Sequence, residues 1–402
     1  MRKRKKRRYK PRFFIICGLL PCIIVGAIVM FIMGLPSFEV VYQTQETLPK
    51  NAQKTIETFA EDAYGYMGSW KDTDLTRNFS DEYEEEGLVC QSAYDLLIEM
   101  RELRENDLRF DIRDVVLTIT DIKETAEGFE VQLEEAYSCK FKFMDKVSET
   151  QGVACTMGLV KDGNKYKLSG YTREEDFYSY ITEGYEYGNG NPKETLNGIK
   201  KVVLTEFQEQ LEKLKVDKHN VDIEDVRCDV AYDRDAAREY ALKHALTRND
   251  DRWYVFDDLG GNCQNFGSQV IYTGGVPMDL KGDAIWKFFD VEPDESGKKT
   301  GRSTSWTGVT YFYDYAKANT GFGLCAKVDA NVFSAEAGDI MQVGDGTGDF
   351  VHTIVSLGAI TDKDGNIIDI NTVSNTTDRK NYPMSAYNCL YIRLIKIYGY
   401  NN

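Results

Sequence analysis

One ten-residue stretch, residues 260–269, constrains this chain more than any other, because it combines a glycine turn, a cysteine and the start of a helix. Its two glycines, Gly260 and Gly261, permit a tight turn, since they adopt backbone angles that are barred to other residues. Asn262 is a residue type that caps helices, and its side-chain oxygen can accept from the free amides that follow. The pattern therefore predicts that Cys263 opens a helix.

A cysteine at the start of a helix predicts a nucleophile. The positive end of the helix dipole stabilises a thiolate and lowers the pKa of the thiol. Such a nucleophile needs a base, usually a histidine, and the chain has three. Two of them, His219 and His244, lie in charged, surface-type segments, whereas His352 opens an apolar run that predicts a strand. We therefore interpret Cys263 and His352 as the catalytic pair, against the alternative that both are ordinary structural residues.

The third catalytic residue is predicted from hairpin geometry. The strand from His352 reaches a turn at residues 362–366, and the returning strand places residues whose numbers sum to about 727–729 opposite each other. Asn375 therefore faces His352, within cross-strand reach of the ring. Papain-like enzymes use an asparagine in this place to orient the imidazole. Asn371 is the second choice, and a surface amide at position 375 is the alternative.

Two further site residues are predicted near the cysteine. The backbone amide of Cys263 would form part of an oxyanion hole, with Asn262 as the side-chain donor, because the nearby Asp257 and Asp258 cannot donate when ionised. Trp306 is predicted either to line the substrate groove or to lie in the core. No metal site and no cofactor are predicted, since one histidine near scattered acids does not make a zinc ligand set.

These motifs resemble the putative amidase domain family of Gram-positive bacteria, a papain-like group related to the CHAP and NlpC-type cell-wall amidases and peptidases. The resemblance covers about residues 230–395 and lies in the order and spacing of six segments. The chain departs from the family pattern at Asn262, where the family often has aspartate, at Gly267, and at Asn375, where the family often has histidine. The six segments are residues 232–237, 260–269, 274–277, 305–307 and 338–340, and His352.

The resemblance implies a cysteine hydrolase of amide bonds that works through a thioester intermediate. In that mechanism Cys263 attacks the carbonyl carbon, and His352 protonates the leaving amine and then activates water. The implied substrate is a peptide or amide linkage of the cell envelope. A catalytically inactive papain-like module for binding or assembly at the cell surface is the alternative, because of the departures at Asn262 and Asn375. A peptidase acting on proteins is a third option.

The N-terminal residues predict a membrane protein. Residues 1–12 carry nine Lys and Arg and no acid, and residues 13–35 form an uncharged apolar run. Such a run crosses about 30 Å of hydrocarbon, and basic residues stay on the cytoplasmic side. The prediction is a single-pass protein of the cell membrane with a cytoplasmic basic tail and an extracytoplasmic catalytic domain. A cleaved signal peptide is the alternative, disfavoured because the run is long and no Ala-x-Ala site follows.

Between this run and the catalytic segment, two further units are predicted. Residues 36–49 are interpreted as a stalk. Residues 50–187 show two helical patterns and then four alternating ones, which predicts an α+β spacer domain of the cystatin-like or nuclear transport factor-like type. Residues 188–225 form a linker and a helix, and residues 226–402 the papain-like α+β hydrolase domain. The predicted fold class is thus α+β behind an N-terminal transmembrane helix.

The net charge of the chain limits the classes of molecule that it is expected to bind. The formal net charge of −16 at pH 7 argues against nucleic acid, because phosphate binding needs a basic surface. The predicted partners are a cell-envelope substrate and, through the N-terminal helix, a membrane.

Among nine cysteines, Cys139 and Cys155 are equidistant from the centre of a predicted hairpin. A disulfide between them is geometrically conceivable, but two reduced core thiols are favoured.

Overall fold

The computed structural model describes residues 36–221, 226–280, 285–288, 301–344 and 348–402. The first half contains the two predicted helices and the four predicted strands, so these predictions are confirmed. Residues 36–49, predicted as a stalk, contain a strand that pairs in parallel with the next one. The elements are β1 (Ser37–Tyr42), α1 (Lys50–Ser69), α2 (Glu84–Glu102), β2 (Phe110–Glu124), β3 (Gly128–Phe141), β4 (Ser148–Asp162) and β5 (Lys165–Arg173).

The second half contains the predicted helix that begins at Cys263 and the predicted strand that contains His352. Two helices lead into it, α3 (Asp176–Thr182) and α4 (Pro192–His219). Its helices are α5 (Arg234–His244), α6 (Cys263–Thr273), α7 (Thr304–Thr307) and α8 (Val309–Ala318). Its strands are β6 (Val230–Ala231), β7 (Gly323–Ala330), β8 (Ile340–Gly344), β9 (Phe350–Thr361), β10 (Ile367–Ser374), β11 (Asp378–Pro383) and β12 (Tyr391–Asn401).

One continuous sheet joins the two halves. Its order is β1-β2-β3-β4-β11-β10-β9-β8-β12-β6, with β5 beside β4 and β7 beside β12. The junction is the antiparallel pair β4–β11, in which Asp378 lies opposite Gln151 and Arg379 opposite Thr150. The predicted spacer and the predicted hydrolase domain therefore share a ladder of backbone pairing, and their exact bounds as domains stay a prediction.

The second-half sheet is covered on both faces. One face packs against the first half in a core that includes Phe207 of α4, Ile354 of β9 and Tyr382 of β11. The other face packs in a second core that includes Phe266 of α6 and Val355 of β9. Because neighbouring side chains of a strand point to opposite faces, Ile354 and Val355 belong to different cores. This alternation decides where the candidate site residues lie.

The predicted fold class, with its N-terminal transmembrane helix, needs correction. The described residues form a mixed α/β arrangement around one large sheet. The predicted basic tail (1–12) and transmembrane helix (13–35) lie outside the described residues. Among the helices that the structure does describe, none is both long and apolar enough to cross a bilayer. The longest, α4, has 28 residues but carries charges along its length. The predicted single-pass localisation at the cell membrane is contradicted by this finding.

The structure has a disulfide that the sequence did not predict. Cys228 and Cys325, 97 positions apart, are bonded, with 6.1 Å between their Cα atoms. Cys139 and Cys155 are buried free thiols, as the favoured alternative has it. The hairpin register explains this, because Cys155 lies opposite Leu133 rather than opposite Cys139. The disulfide ties the segment before β6 to strand β7.

We expect loss of this disulfide to destabilise the protein by about 4 kcal/mol, because the bond closes a loop of 97 positions in the unfolded chain. Urea unfolding of the wild type with and without dithiothreitol measures the effect. The Cys228→Ala/Cys325→Ala variant is the control, and it should match the reduced wild type and ignore the reductant. An unchanged wild-type midpoint in dithiothreitol would contradict the prediction.

A chain of buried charges crosses the β4–β11 junction. Glu135 accepts hydrogen bonds from Arg173 and from the hydroxyl of Tyr64. Arg173 Nε also donates to Glu175 at 2.5 Å, and Arg379 of β11 donates to the other oxygen of Glu175 at 2.9 Å. Burial would raise the pKa of Glu175, but the two arginines outweigh it and hold that pKa below its ordinary value. Glu175 therefore links the first half to β11.

Glu175→Gln should destabilise the protein by about 3 kcal/mol, since it leaves the buried guanidinium of Arg379 without its counter-charge. The wild type should lose this contribution in acid, as the pH falls below 4.5 through the lowered pKa of Glu175. Urea unfolding at pH 7 and at acid pH checks both. Glu174→Gln, at an exposed neighbouring position, is the control. Equal stability of the two variants would show that the junction does not depend on this charge.

Candidate active site

Cys263 is the first residue of α6, as the sequence predicts. The turn before it uses Gly260 and Gly261 with φ of 98° and 106°, angles that favour glycine strongly. A Cβ at position 261 would lie 3.2 Å from Oγ1 of Thr376, which is a tight approach. The turn is therefore fixed both by its backbone angles and by its contact with the segment after β10.

The sulfur of Cys263 is buried against three backbone N–H groups. Two belong to the start of the helix, from Cys263 itself and Gln264, and the third comes from Thr353 of β9. Burial has the largest effect and raises the pKa of the Cys263 thiol, although the three N–H groups act in the opposite direction. The prediction of a lowered thiol pKa is therefore wrong. The helix start is in place, but the sulfur has been removed from water.

His352 lies on the other face of the sheet from Cys263. The next residue, Thr353, donates from Oγ1 to Oε1 of Gln264 at 2.8 Å and so faces α6. Because side chains alternate along a strand, His352 points toward the first half. There it lines a cavity together with Arg379. Among the described residues, no hydrogen bond joins its imidazole to Cys263, and its buried Nε2 has no partner.

The surroundings of His352 disfavour the charged imidazole. Burial has the largest effect, and the positive charge of Arg379 adds to it, so that the pKa of His352 falls to about 3. The imidazole is therefore neutral at pH 7. A neutral imidazole can accept a proton, but one with so low a pKa is a weak base.

A β-bulge lies beside His352. In the ladder between β8 and β9, Val343 pairs with His352 but Gly344 pairs with Phe350, so Val351 has no opposite residue. Moving such a bulge by one position turns side chains to the other face, because a strand has a period of two. Val351 is 50% exposed. The bulge therefore lies at an exposed residue next to the predicted base.

The hairpin of β9 and β10 has the register that the sequence predicts. Val373 opposes Val355, so opposed residue numbers sum to 728 there, within the predicted range. This register places Asn375 beside Thr353 rather than beside His352. Since Thr353 faces α6, Asn375 lies on the face of the sheet that carries the cysteine. The predicted pair of Asn375 and His352 is therefore separated by strand alternation.

Asn375 is hydrogen-bonded to the segment that precedes Cys263. Its Oδ1 accepts from Nδ2 of Asn262 at 3.0 Å. Its own Nδ2 donates to the carbonyl groups of His244 and Ala245, at 3.1 and 2.9 Å, at the end of α5. In the structure Asn375 thus positions the turn before the cysteine, and it does not orient an imidazole.

Asn262 has the position of a helix cap but makes different contacts. Its Oδ1 accepts from the backbone N–H of Phe256 at 3.3 Å and from Asn265 at 2.8 Å. Its backbone N–H donates to Oγ1 of Thr376 at 2.7 Å. Its side-chain amide, the predicted oxyanion donor, donates to Asn375. Asn262 therefore joins the cysteine turn to the segment between β10 and β11.

That segment has an unusual backbone. Thr376 and Thr377 have left-handed φ values of 64° and 50°, which are rare for β-branched residues. The backbone N–H of Thr376 donates to Asp378 Oδ1 at 3.0 Å, and Asp378 is ion-paired with Arg248 at 2.9 Å. Such strain persists where the surroundings over-determine the conformation, and here the surroundings include the cysteine turn.

Trp306 belongs to the core. It is fully buried, it donates from Nε1 to Asn265 Oδ1 at 2.8 Å, and it stacks on Trp286 with 4.6 Å between ring centroids. Of its two predicted positions, the structure shows the core one. Asn265 and Gln269 anchor the helix through Trp306 and the hydroxyl of Tyr240.

Three residues at the site were not predicted: Gln264, Thr353 and Arg379. Gln264 directly follows the predicted nucleophile, and Thr353 directly follows the predicted base. Their position next to those residues is the sequence feature that could have identified them. Arg379 has no local signal, because its place depends on Glu175 in the first half. Within the described part of the chain, no group of three His, Cys, Asp or Glu side chains is arranged to hold a metal ion.

Fold and site together define a mixed α/β domain that buries a cysteine at the start of a helix packed on a sheet. Residues 231–398 match the model of a family described as a putative amidase domain. The match covers less than half of the chain and includes all three predicted catalytic residues, and it supports a domain that acts on amides. No curated protein and no solved structure matched the chain. The papain-like, CHAP and NlpC-type relationship stays a prediction.

The partly buried, neutral His352 should make the protein less stable in acid. Its pKa of about 3 lies below the ordinary 6.5, so its contribution is complete above pH 6.5 and is lost as the pH falls toward 3. Between pH 7 and 5 the wild type should lose about 2 kcal/mol more than His352→Asn does. Urea unfolding at several pH values measures this. His219→Asn, at an exposed position, should behave like the wild type; a wild-type slope in His352→Asn would contradict the assignment.

Proposed function

We propose that residues 231–398 hydrolyse amide bonds with Cys263 as the nucleophile. The observation that carries the proposal is the position of Cys263 as the first residue of α6. The free N–H groups and the positive dipole end of a helix start favour negative charge on the sulfur and on a carbonyl oxygen bound beside it. The family match to residues 231–398 supports the reaction class.

The proposed reaction has two steps. In the first, His352 takes the thiol proton, the sulfur bonds to the amide carbonyl carbon, and the C–N bond breaks as the imidazolium protonates the leaving nitrogen. In the second, the same imidazole deprotonates a water molecule, which attacks the thioester. The products are a carboxylic acid, an amine and the free thiol of Cys263.

This mechanism requires His352 to reach the face that carries Cys263. In its described position the imidazole has a pKa that burial and Arg379 lower to about 3, and burial raises the pKa of the Cys263 thiol. Both changes oppose transfer of the thiol proton to the imidazole. We propose that a one-residue shift of the bulge at Val351 turns the imidazole toward Cys263 and away from Arg379.

We propose peptide or amide linkages of the cell envelope as the substrate class, on the resemblance of the motifs alone. The test uses the full-length protein, a panel of wall-peptide fragments and protein substrates, and product identification by mass spectrometry. Cys263→Ala and His352→Ala should each reduce hydrolysis at least about a hundredfold. Cys389→Ala, which removes another buried free thiol, is the control.

A second candidate function is a binding module without catalysis. The specific observation in its favour is the described geometry, in which the imidazole and the thiol lie on opposite faces of β9. In that case the fragments bind without being cleaved, and Cys263→Ala leaves their affinity unchanged. Turnover that depends on Cys263 excludes this second function, and turnover that survives Cys263→Ala excludes the cysteine mechanism.

A further inference from the structure

A cavity of about 140 Å³ lies between the two halves, on the face of β9 that carries His352. The first half contributes Glu174, Glu175 and Asp176, and the second half contributes His352 and Arg379. Neither half forms this cavity alone. The predicted spacer is therefore also part of the cavity wall.

The cavity adjoins the turn that carries the cysteine. Thr376 lines it, and Oγ1 of Thr376 accepts the backbone N–H of Asn262 at 2.7 Å. A ligand in the cavity would therefore contact Thr376, which is hydrogen-bonded to the segment that positions Cys263. This proximity connects the cavity to the site rather than to a distant surface.

Two buried groups at the cavity lack hydrogen-bond partners among the described residues. Arg379 is only 9% exposed, and its Nε is buried and unpaired. His352 Nε2 is likewise buried and unpaired. Unpaired buried donors are rare because each costs its full desolvation free energy. The Nε–H of Arg379 therefore needs a hydrogen-bond acceptor, such as a carbonyl oxygen.

The charges around the cavity favour a cation. Arg379 is offset by Glu175, with which it forms an ion pair at 2.9 Å, and Glu175 is shared with Arg173. Glu174 lines the cavity from an exposed position, where its carboxylate can meet a ligand from solvent. The whole chain is acidic as well, with a formal net charge of −16. A free anion is therefore disfavoured here.

We propose that this cavity holds an aminoacyl group, the amine-bearing end of an amide substrate, with its protonated amine on Glu174 and its carbonyl oxygen on Arg379. The inference rests on the proposed function, because it names the part of the substrate that binds beside the cysteine turn. The volume agrees with it, since about 140 Å³ corresponds to roughly five water molecules and accommodates one small residue.

The test measures binding rather than turnover, in the full-length Cys263→Ala protein. The probes are L-alaninamide, which has a protonated amine, and N-acetyl-L-alaninamide, which does not. The readout is the ring resonance of His352 in ¹⁵N-histidine-labelled protein, which is simple to assign because the chain has three histidines. L-alaninamide should shift this resonance in a saturable way, and the acetylated probe should not.

Glu174→Gln should weaken L-alaninamide binding about fivefold, the effect expected for one partly exposed ion pair. Glu183→Gln makes the same change of charge at an exposed position outside the cavity lining and should leave the affinity unchanged. The inference is overturned by equal binding of both probes, by equal effects of both variants, or by no shift of His352 at the highest soluble concentration. Because Cys263 is absent, none of these outcomes depends on whether the protein hydrolyses amides.

Discussion

The pairing of β4 with β11 is the contact on which the rest of the structure depends. It joins two sheets that would otherwise each end in an open edge, and an unpaired edge invites association with other chains. The same junction carries Arg379 to Glu175, so that backbone pairing and a buried ion pair reinforce each other. The first half is therefore more than a spacer. It covers one face of the strand that carries His352 and so contributes to the burial that lowers the pKa of that imidazole.

The elements that local chemistry determines could be predicted from the sequence. The glycine turn before Cys263, the helix that it opens and the register of the β9–β10 hairpin follow from turn residues and from a period of two. The face on which a side chain lies is a different matter. The register places Asn375 beside Thr353, one position away from His352, and one position is enough to move a side chain to the other face. The sequence estimate of the register was not accurate to one residue, so it placed Asn375 opposite the wrong neighbour.

The pKa changes that result from burial could not be predicted from the sequence either. The dipole at the start of α6 is a local property, whereas the burial that raises the pKa of the Cys263 thiol is a property of the folded chain. The low pKa of His352 requires burial and the charge of Arg379, which the pairing of β9, β10 and β11 brings near. The disulfide between Cys228 and Cys325 is another long-range contact, formed between positions that show no shared pattern in the sequence. Contacts of this kind follow from the assembled sheet.

The left-handed threonines after β10 limit how this chain can change over time. Each holds a backbone angle that costs about 1 kcal/mol or more for a β-branched residue, and a glycine would relieve that cost. Yet Thr376 supplies the hydroxyl oxygen that accepts the amide of Asn262, and a glycine has no such oxygen. A glycine at position 376 would thus relieve backbone strain, but it would also remove the hydrogen bond that holds the cysteine turn. A homologue with glycine in place of Thr376 should therefore be one that no longer needs the present conformation of the turn before its cysteine.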